Sequence, residues 1–289
     1  MSRMKWGLLV MLLAGCASTK MPSGPLMFDD LKIKTTADLA THGWIMRTVP
    51  GWPGIAGALW GPESFTINDG VLRMTSSTNG TVTRQSQLCH QRKYLDGTYA
   101  ARVRYSDAPS AGPTGDQIVQ SFYLISPSKG PMDPTYDEVD FEYLANGGWG
   151  TFKPTMFTTT WDTFQLEPWI ADNTSTRKTG PMGGWHTFVA QVDHGRVSYF
   201  IDGKLFASHT TKVFTEMMSI NFNLWFVRDN LLKDVTDQRA YDEDIDWVYF
   251  RLGQVSPASV EAEVAEMRAK SVPFIDTVPA SGLASPCNF

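Results

Sequence analysis

Apolar and polar residues alternate with a period of two through much of this chain, in short runs separated by Gly, Asn, Asp and Pro. Strand side chains point to opposite faces in turn, so each run predicts a strand with one face in a core. The runs cover 64–68, 71–75, 98–106, 118–125, 186–192, 197–201 and 219–227. Asn68-Asp69-Gly70 and Asp202-Gly203 read as hairpin turns, because Gly supplies the positive φ that such corners need. Short strands at this spacing predict an all-β fold, a sandwich or a barrel. One stretch has the other period. Ser256 can cap a helix, Pro257 suits its first turn, Val260, Val264 and Met267 recur on one side, and Pro273 stops it. A strand-rich domain over 28–253 is therefore expected, followed by a short helix and tail over 254–289. That segment is either a strap packed on the domain or a free arm.

The amino end departs from both patterns. Arg3 and Lys5 precede an apolar run over 8–13, and Leu13-Ala14-Gly15-Cys16 follows. The run is too short to span a bilayer, and its ending resembles the bacterial lipobox. The expectation is a lipoprotein signal peptide over 1–15, lipidation of Cys16, a tether over 16–27, and an exported protein anchored at the bacterial cell envelope. A plain secretory signal with an incidental cysteine is the other reading. Cys89 and Cys287 are the two cysteines left, an even remainder that permits one disulfide in an exported chain. A closure of that length would contribute on the order of 4–5 kcal/mol by loop entropy. Two free buried thiols fit the sequence as well.

Composition narrows the classes. Hydrophobic content of 42% and 19% charged residues support a sizeable core and one undivided domain. A net charge of −5 with no basic block argues against nucleic acid as a partner. Ten Trp and nine Tyr change the picture more, because flat rings stack on sugar faces as well as packing cores. The five His show no metal-ligand spacing, so no metal site is expected from them. His186 can be read as a general base or as a hydrogen-bonded core residue. No Gly-x-Ser-x-Gly, phosphate-cradling Gly loop or Cys-x-x-Cys occurs.

The chemistry concentrates in Glu138-Val139-Asp140-Phe141-Glu142. On a strand, Glu138, Asp140 and Glu142 share one face while Val139 and Phe141 take the other. Three like charges on one face repel, which a plain scaffold has little reason to keep. The outer pair suits a retaining glycosidase, whose carboxyl groups sit roughly 5–5.5 Å apart. Four residues of flat strand separate the Cα atoms by about 13 Å, so the side chains must lean together over a concave, twisted sheet. Asp140 between them can hydrogen-bond one neighbour and raise the proton affinity of the others. A solvated acidic strand or a calcium site fits the same five residues.

Tyr136-Asp137-Glu138-Val139-Asp140-Phe141-Glu142-Tyr143-Leu144 resembles the catalytic strand of glycoside hydrolase family 16 in its non-bulged form, on the lichenase and xyloglucan endotransglycosylase side of the family. Further segments resemble the family in order: 64–72, Gly97-Thr98-Tyr99-Ala100-Ala101-Arg102, Trp185-His186-Thr187-Phe188, 199–203, Asn223-Leu224-Trp225 and Asp246-Trp247-Val248. Together they cover roughly 28–252. The chain departs from the pattern where Ala100 stands in place of a substrate-contacting Glu, where Val192 stands in place of a Trp, and at Tyr136.

The resemblance implies a concanavalin-like β-sandwich jelly roll with the acidic strand on its concave face. It implies a retaining endo-β-glycanase of β-1,3 or β-1,4 linked polysaccharide, with Glu138 as nucleophile, Glu142 as acid/base and Asp140 assisting. A transglycosylase on the same glycans, or a lectin-like polysaccharide-binding lipoprotein, are the alternatives. Tyr136, Trp161, Asn223 and Trp225 are the candidate sugar contacts. Trp149 and Trp169 are either cleft walls or core, and the loop from Trp44 through Trp52 to Trp60 is a candidate closure of one cleft end. No cofactor is implied, although a structural calcium is common in the family; a monomer is expected.

Overall fold

The computed structural model describes residues 24–284 and 287. The signal peptide 1–15, Cys16 and the tether as far as residue 23 lie outside the described residues. Seventeen strands follow in chain order. They are β1 (Leu26–Asp29), β2 (Trp44–Met46), β3 (Leu59–Trp60), β4 (Phe65–Asn68), β5 (Val71–Thr78), β6 (Thr83–His90), β7 (Gly97–Tyr105), β8 (Ile118–Ile125) and β9 (Glu138–Leu144). The series continues with β10 (Thr155–Gln165), β11 (Ile170–Thr179), β12 (Gly184–Asp193), β13 (Arg196–Ile201), β14 (Lys204–Thr210), β15 (Ser219–Phe226), β16 (Arg239–Arg251) and, after helix α1 (Pro257–Ala269), β17 (Phe274–Asp276).

The strands form two layers of a jelly roll. One sheet runs β4-β5-β16-β7-β12-β13-β14, with β1 and β17 added along the far half of β16. The other runs β2-β6-β15-β8-β9-β10-β11. β6 joins them, because its first residues pair with β5 and the rest with β15. Both hairpin turns form as their residues require: Asp69 and Gly70 have φ 51 and 75°, and Asp202 and Gly203 have φ 50 and 75°. Between the sheets lies one apolar core to which β9 contributes Val139, Phe141 and Tyr143, so its acids face outward.

Helix α1 is a strap. The Ser256 hydroxyl accepts from the Ser259 amide at 3.2 Å, and Val260, Val264 and Met267 pack on Leu26, Phe28, Val189, Trp247 and Tyr249 of the first sheet's outer face. Ala100 belongs to this same packed layer, and Val192 lies in the core between the sheets. Neither departure from the family pattern therefore touches the face that carries the acids. Ala100 is small because a helix sits on it. Cys89 and Cys287 are joined as a disulfide, with Cα atoms 5.5 Å apart, which ties the tail to β6.

Candidate active site

Register places the site. Glu138 lies between Ile125 on β8 and Trp161 on β10, Asp140 between Tyr123 and Thr159, and Glu142 between Ser121 and Phe157. One further strand across, Asn223 of β15 stands opposite Ser121, and Gln87 of β6 stands opposite Asn223. A floor of carboxylates and amides thus crosses the centre of the second sheet. A cavity of about 470 Å³ opens above it, and a side chamber of about 60 Å³ adjoins it on the β6 and β15 side.

Each acid has a different surrounding. The Tyr136 hydroxyl donates to Glu138 Oε2, and the Trp161 indole Nε1 donates to Asp140 Oδ2 at 2.8 Å. No side chain donates to Glu142 among the described residues. Burial pushes Glu138 up to about 7, against the pull of its bonds from Tyr136 and Asp140. Glu142 rises further, to about 8, through burial and then the charge of Glu138. Asp140 lies well above the usual carboxylate range, raised by burial and then by Glu138 and Glu142, with the Trp161 bond opposing. Desolvation and mutual repulsion therefore keep protons on this strand at pH values where isolated carboxylates have lost them.

Aromatic rings flank the row at both ends. Beyond Glu142, Trp149 meets Phe157 at 5.4 Å and Trp225 at 6.2 Å between centroids, and Trp52 meets Trp225 at 6.4 Å. Beyond Glu138, Trp161 and Phe164 surround Trp169 at 6.2 and 6.4 Å. Trp52, Trp149 and Trp169 are 55, 42 and 58% exposed. That exposure suits rings waiting for a ligand more than core residues.

All four candidate sugar contacts line the cleft, Tyr136, Trp161 and Trp225 the larger cavity and Asn223 and Trp225 the side chamber. Tyr136 is 3% exposed and packed edge-on against Phe164, and its hydroxyl holds Glu138. Trp161 sits on a strand, since 155–179 forms the β10–β11 hairpin. Asn223 is buried at the floor and Trp225 stands on the wall. Phe157 and Phe164 escaped notice, although Phe157, Thr159 and Trp161 share one parity that marks a strand face. Of the three tryptophans in the stretch from Trp44 to Trp60 only Trp52 lines the cleft, because the Trp44 indole bonds Asp29 at 2.8 Å and Trp60 lies buried under Arg47.

His186 is on the other sheet, its Nδ1 2.7 Å from Asp202, and lines neither cavity of the cleft. One group of candidate metal ligands exists among the described residues: Asp96, Asp193 and His194, with ligand atoms within 4.8 Å of one another. It sits at the β12–β13 turn, away from the acid floor, and His194 already bonds Asp193 at 2.7 Å.

The sequence model of glycosyl hydrolases family 16 matches residues 56–249, which spans both sheets and every acid of the floor. The chain belongs to this family. Family 16 membership accords with the solved structures that share the fold. The beta-glucanase of Bacillus licheniformis superposes with a TM-score of 0.60 at 15% identity, covering 80% of this chain and 99% of that one. A family 16 protein of a Bacteroides ovatus mixed-linkage glucan locus, solved with a G4G4G3G product, gives 0.60 at 16% identity, covering 77% and 98%. The kappa-carrageenase of Pseudoalteromonas carrageenovora, solved with an oligotetrasaccharide of kappa-carrageenan, gives 0.55 at 11% identity, covering 83% and 99%. At such identities the likeness concerns the fold. No curated protein matches the chain.

Proposed function

We propose that this family 16 protein is a retaining endo-β-glycanase acting on β-1,3 or β-1,4 linked polysaccharide, with Glu138 as nucleophile, Glu142 as acid/base and Asp140 as the assisting acid. The observation that carries the reading is the row of three uncompensated carboxyl groups on the floor of an aromatic-walled trough. Its polarity follows from the donors. Glu138 receives the Tyr136 hydroxyl and shares a hydrogen bond with Asp140, which favours its ionised, attacking form. Glu142 lacks a donor and has the higher proton affinity, so it carries the proton that the departing glycosidic oxygen needs. After the glycosyl-enzyme forms, the same Glu142 takes a proton from the incoming water, and the second displacement restores the original anomeric configuration.

Rings on both sides of the acid row support cleavage within a chain, because sugars can be held on either side of the broken bond. The amino-terminal pattern supports an envelope lipoprotein in which acylated Cys16 anchors the enzyme and 16–27 acts as tether. The test is a screen of the purified protein on laminarin, mixed-linkage glucan, xyloglucan, agarose and carrageenan, with reducing-end detection and the anomer of the first product read by NMR. Cleavage with retention, lost in Glu138→Gln, is expected. Binding with no turnover on any glycan would make the protein lectin-like, and an inverted first product would refute the assigned roles. Sugar-acceptor products in place of free reducing ends would identify a transglycosylase.

A further inference from the structure

The residues just before the acid row are held by a lysine from a distant loop. Lys212 lies in the segment 211–218 that joins β14 to β15. Its partly buried ammonium donates to the Pro134 carbonyl at 2.7 Å, to the Tyr136 carbonyl, and to the Asp162 carbonyl at 2.6 Å. Three carbonyls use all three of its protons. Asp137 Oδ1 lies 3.3 Å from the same nitrogen and supplies the opposite charge from a fully buried side chain. The rest of the loop is fastened to the same two residues. The Thr215 and Glu216 amides donate to Asp137 Oδ2 at 3.2 Å, and the Thr211 hydroxyl and the Lys212 amide donate to Asp162 Oδ1.

Two of these carbonyls belong to segments that supply the donors of the acid row. Tyr136 carries the hydroxyl that donates to Glu138, and Trp161, one residue before Asp162, carries the indole that donates to Asp140. Asp162 is also a bulge. Trp161 pairs with Asn173 and Thr163 with Asp172, so Asp162 is the extra residue on β10. The bulge switches the parity of the strand: Phe157, Thr159 and Trp161 line the cleft before it, and Phe164 lines it afterwards. Phe164 then meets Tyr136 edge-on, with centroids 4.9 Å apart. A bulged residue drops out of the ladder, so its carbonyl needs a donor from elsewhere, and Lys212 is that donor.

We propose that Lys212 is a positioning residue for the acid row: its ammonium locks the 134–136 segment to the Asp162 bulge, and so holds the Tyr136 hydroxyl on Glu138 and the Trp161 indole on Asp140. The inference rests on the glycanase reading of the cleft and adds the residue that fixes its donors. An ammonium suits the place because its three protons diverge from one point toward three carbonyls, which a planar guanidinium fork does not match. Asp137 neutralises the charge at short range, so the influence of Lys212 on Glu138 runs through the donors that it places.

The test follows the pH profile of kcat/KM in the full chain, on a glycan that the parent cleaves. Lys212→Met keeps the stem and removes the donors. It should lower kcat/KM by on the order of tenfold to a hundredfold, the cost of a small misplacement. Glu138 loses the donor that favours its carboxylate, so the lower limb should move to higher pH by about one unit. A merely structural role would lower the melting point and leave the limb in place. In a Tyr136→Phe background there is no hydroxyl to misplace, so adding Lys212→Met should leave the limb close to where Tyr136→Phe alone puts it. Lys212→Met with Asp137→Asn removes the ion pair as a unit, leaves no lone buried charge, and serves if Lys212→Met does not fold; the same shift is expected. A limb unmoved in either variant, or moved as far in the Tyr136→Phe background as in the parent, overturns the role and leaves the glycanase reading in place. No turnover by the parent on any glycan overturns both.

Discussion

Two strands of this protein carry acids at every second position, and the fold treats them in opposite ways. β9 presents Glu138, Asp140 and Glu142; β16 presents Asp242, Asp244 and Asp246. The β16 row is answered by arginines from its neighbours. Arg73 Nε lies 2.7 Å from Asp244 and its Nη1 3.4 Å from Asp242, Arg104 also pairs with Asp244, and Arg268 of α1 lies 2.7 Å from Asp246. The β9 row meets no cation among the described residues; its partners are the Tyr136 hydroxyl and the Trp161 indole. An acid row is scaffold where neighbouring strands neutralise it, and a candidate reactive centre where they leave it desolvated and protonated.

The largest expected effect breaks the two rows apart. Glu142→Gln should lower turnover of polysaccharide by roughly 10²–10⁴-fold, with much smaller loss on an aryl glycoside whose leaving group needs no proton. Asp244→Asn should leave turnover within about twofold and cost about 1–3 kcal/mol of stability, read by thermal melting; the figure is modest because Arg73 and Arg104 are a third or more exposed. Similar activity losses in both variants would abolish the contrast.

A finer test uses pH. In the proposed mechanism Glu138 is ionised and Glu142 protonated, so kcat/KM should fall below about 7 and above about 8. Tyr136→Phe removes a bond that favours the Glu138 carboxylate, so the lower limb should move to higher pH. In Asp244→Asn neither limb should move. A lower limb that stays in place in Tyr136→Phe would show that the hydroxyl does not hold the proposed nucleophile.

The smallest effect is in stability. Glu142 has a raised proton affinity in the native state, so that state keeps a proton that the unfolded chain has released. Native stability is therefore lost as pH rises from the unfolded carboxylate pKa through about 8. Glu142→Gln should melt higher than the parent at pH 9, by on the order of 2–4 °C, and close to it at pH 4. A lower melting point at pH 9 would mean that Glu142 is not desolvated as the structure shows.

Alternation was a good guide where one face of a strand is apolar. The seven runs read from the sequence fall on β4, β5, β7, β8, β12, β13 and β15. It failed where burial is polar or absent. β6 reads as polar, yet Gln85, Gln87 and His90 are buried because loop carbonyls and side chains satisfy them. β11 is exposed almost throughout and has no apolar face to alternate, and the run of Thr158, Thr159 and Thr160 masks the parity of β10. Missing that hairpin meant missing that Trp161 is a strand residue beside Glu138. It also left Phe157 unassigned.

By itself the sequence determined that 138–142 is a strand and that its three acids share a face, since a period of two is a local property of the backbone. It also determined the hairpin corners and the helix cap, which depend on neighbouring residues alone. Only the tertiary structure decided which acid row is neutralised, because Arg73, Arg104 and Arg268 reach β16 from distant parts of the chain. It likewise aimed the Tyr136 hydroxyl at Glu138, moved Ala100 under a helix, and brought Arg47 into the same chamber as Glu138. Proton affinity and substrate fit depend on what surrounds a side chain in space, and strand pairing across long loops sets those surroundings.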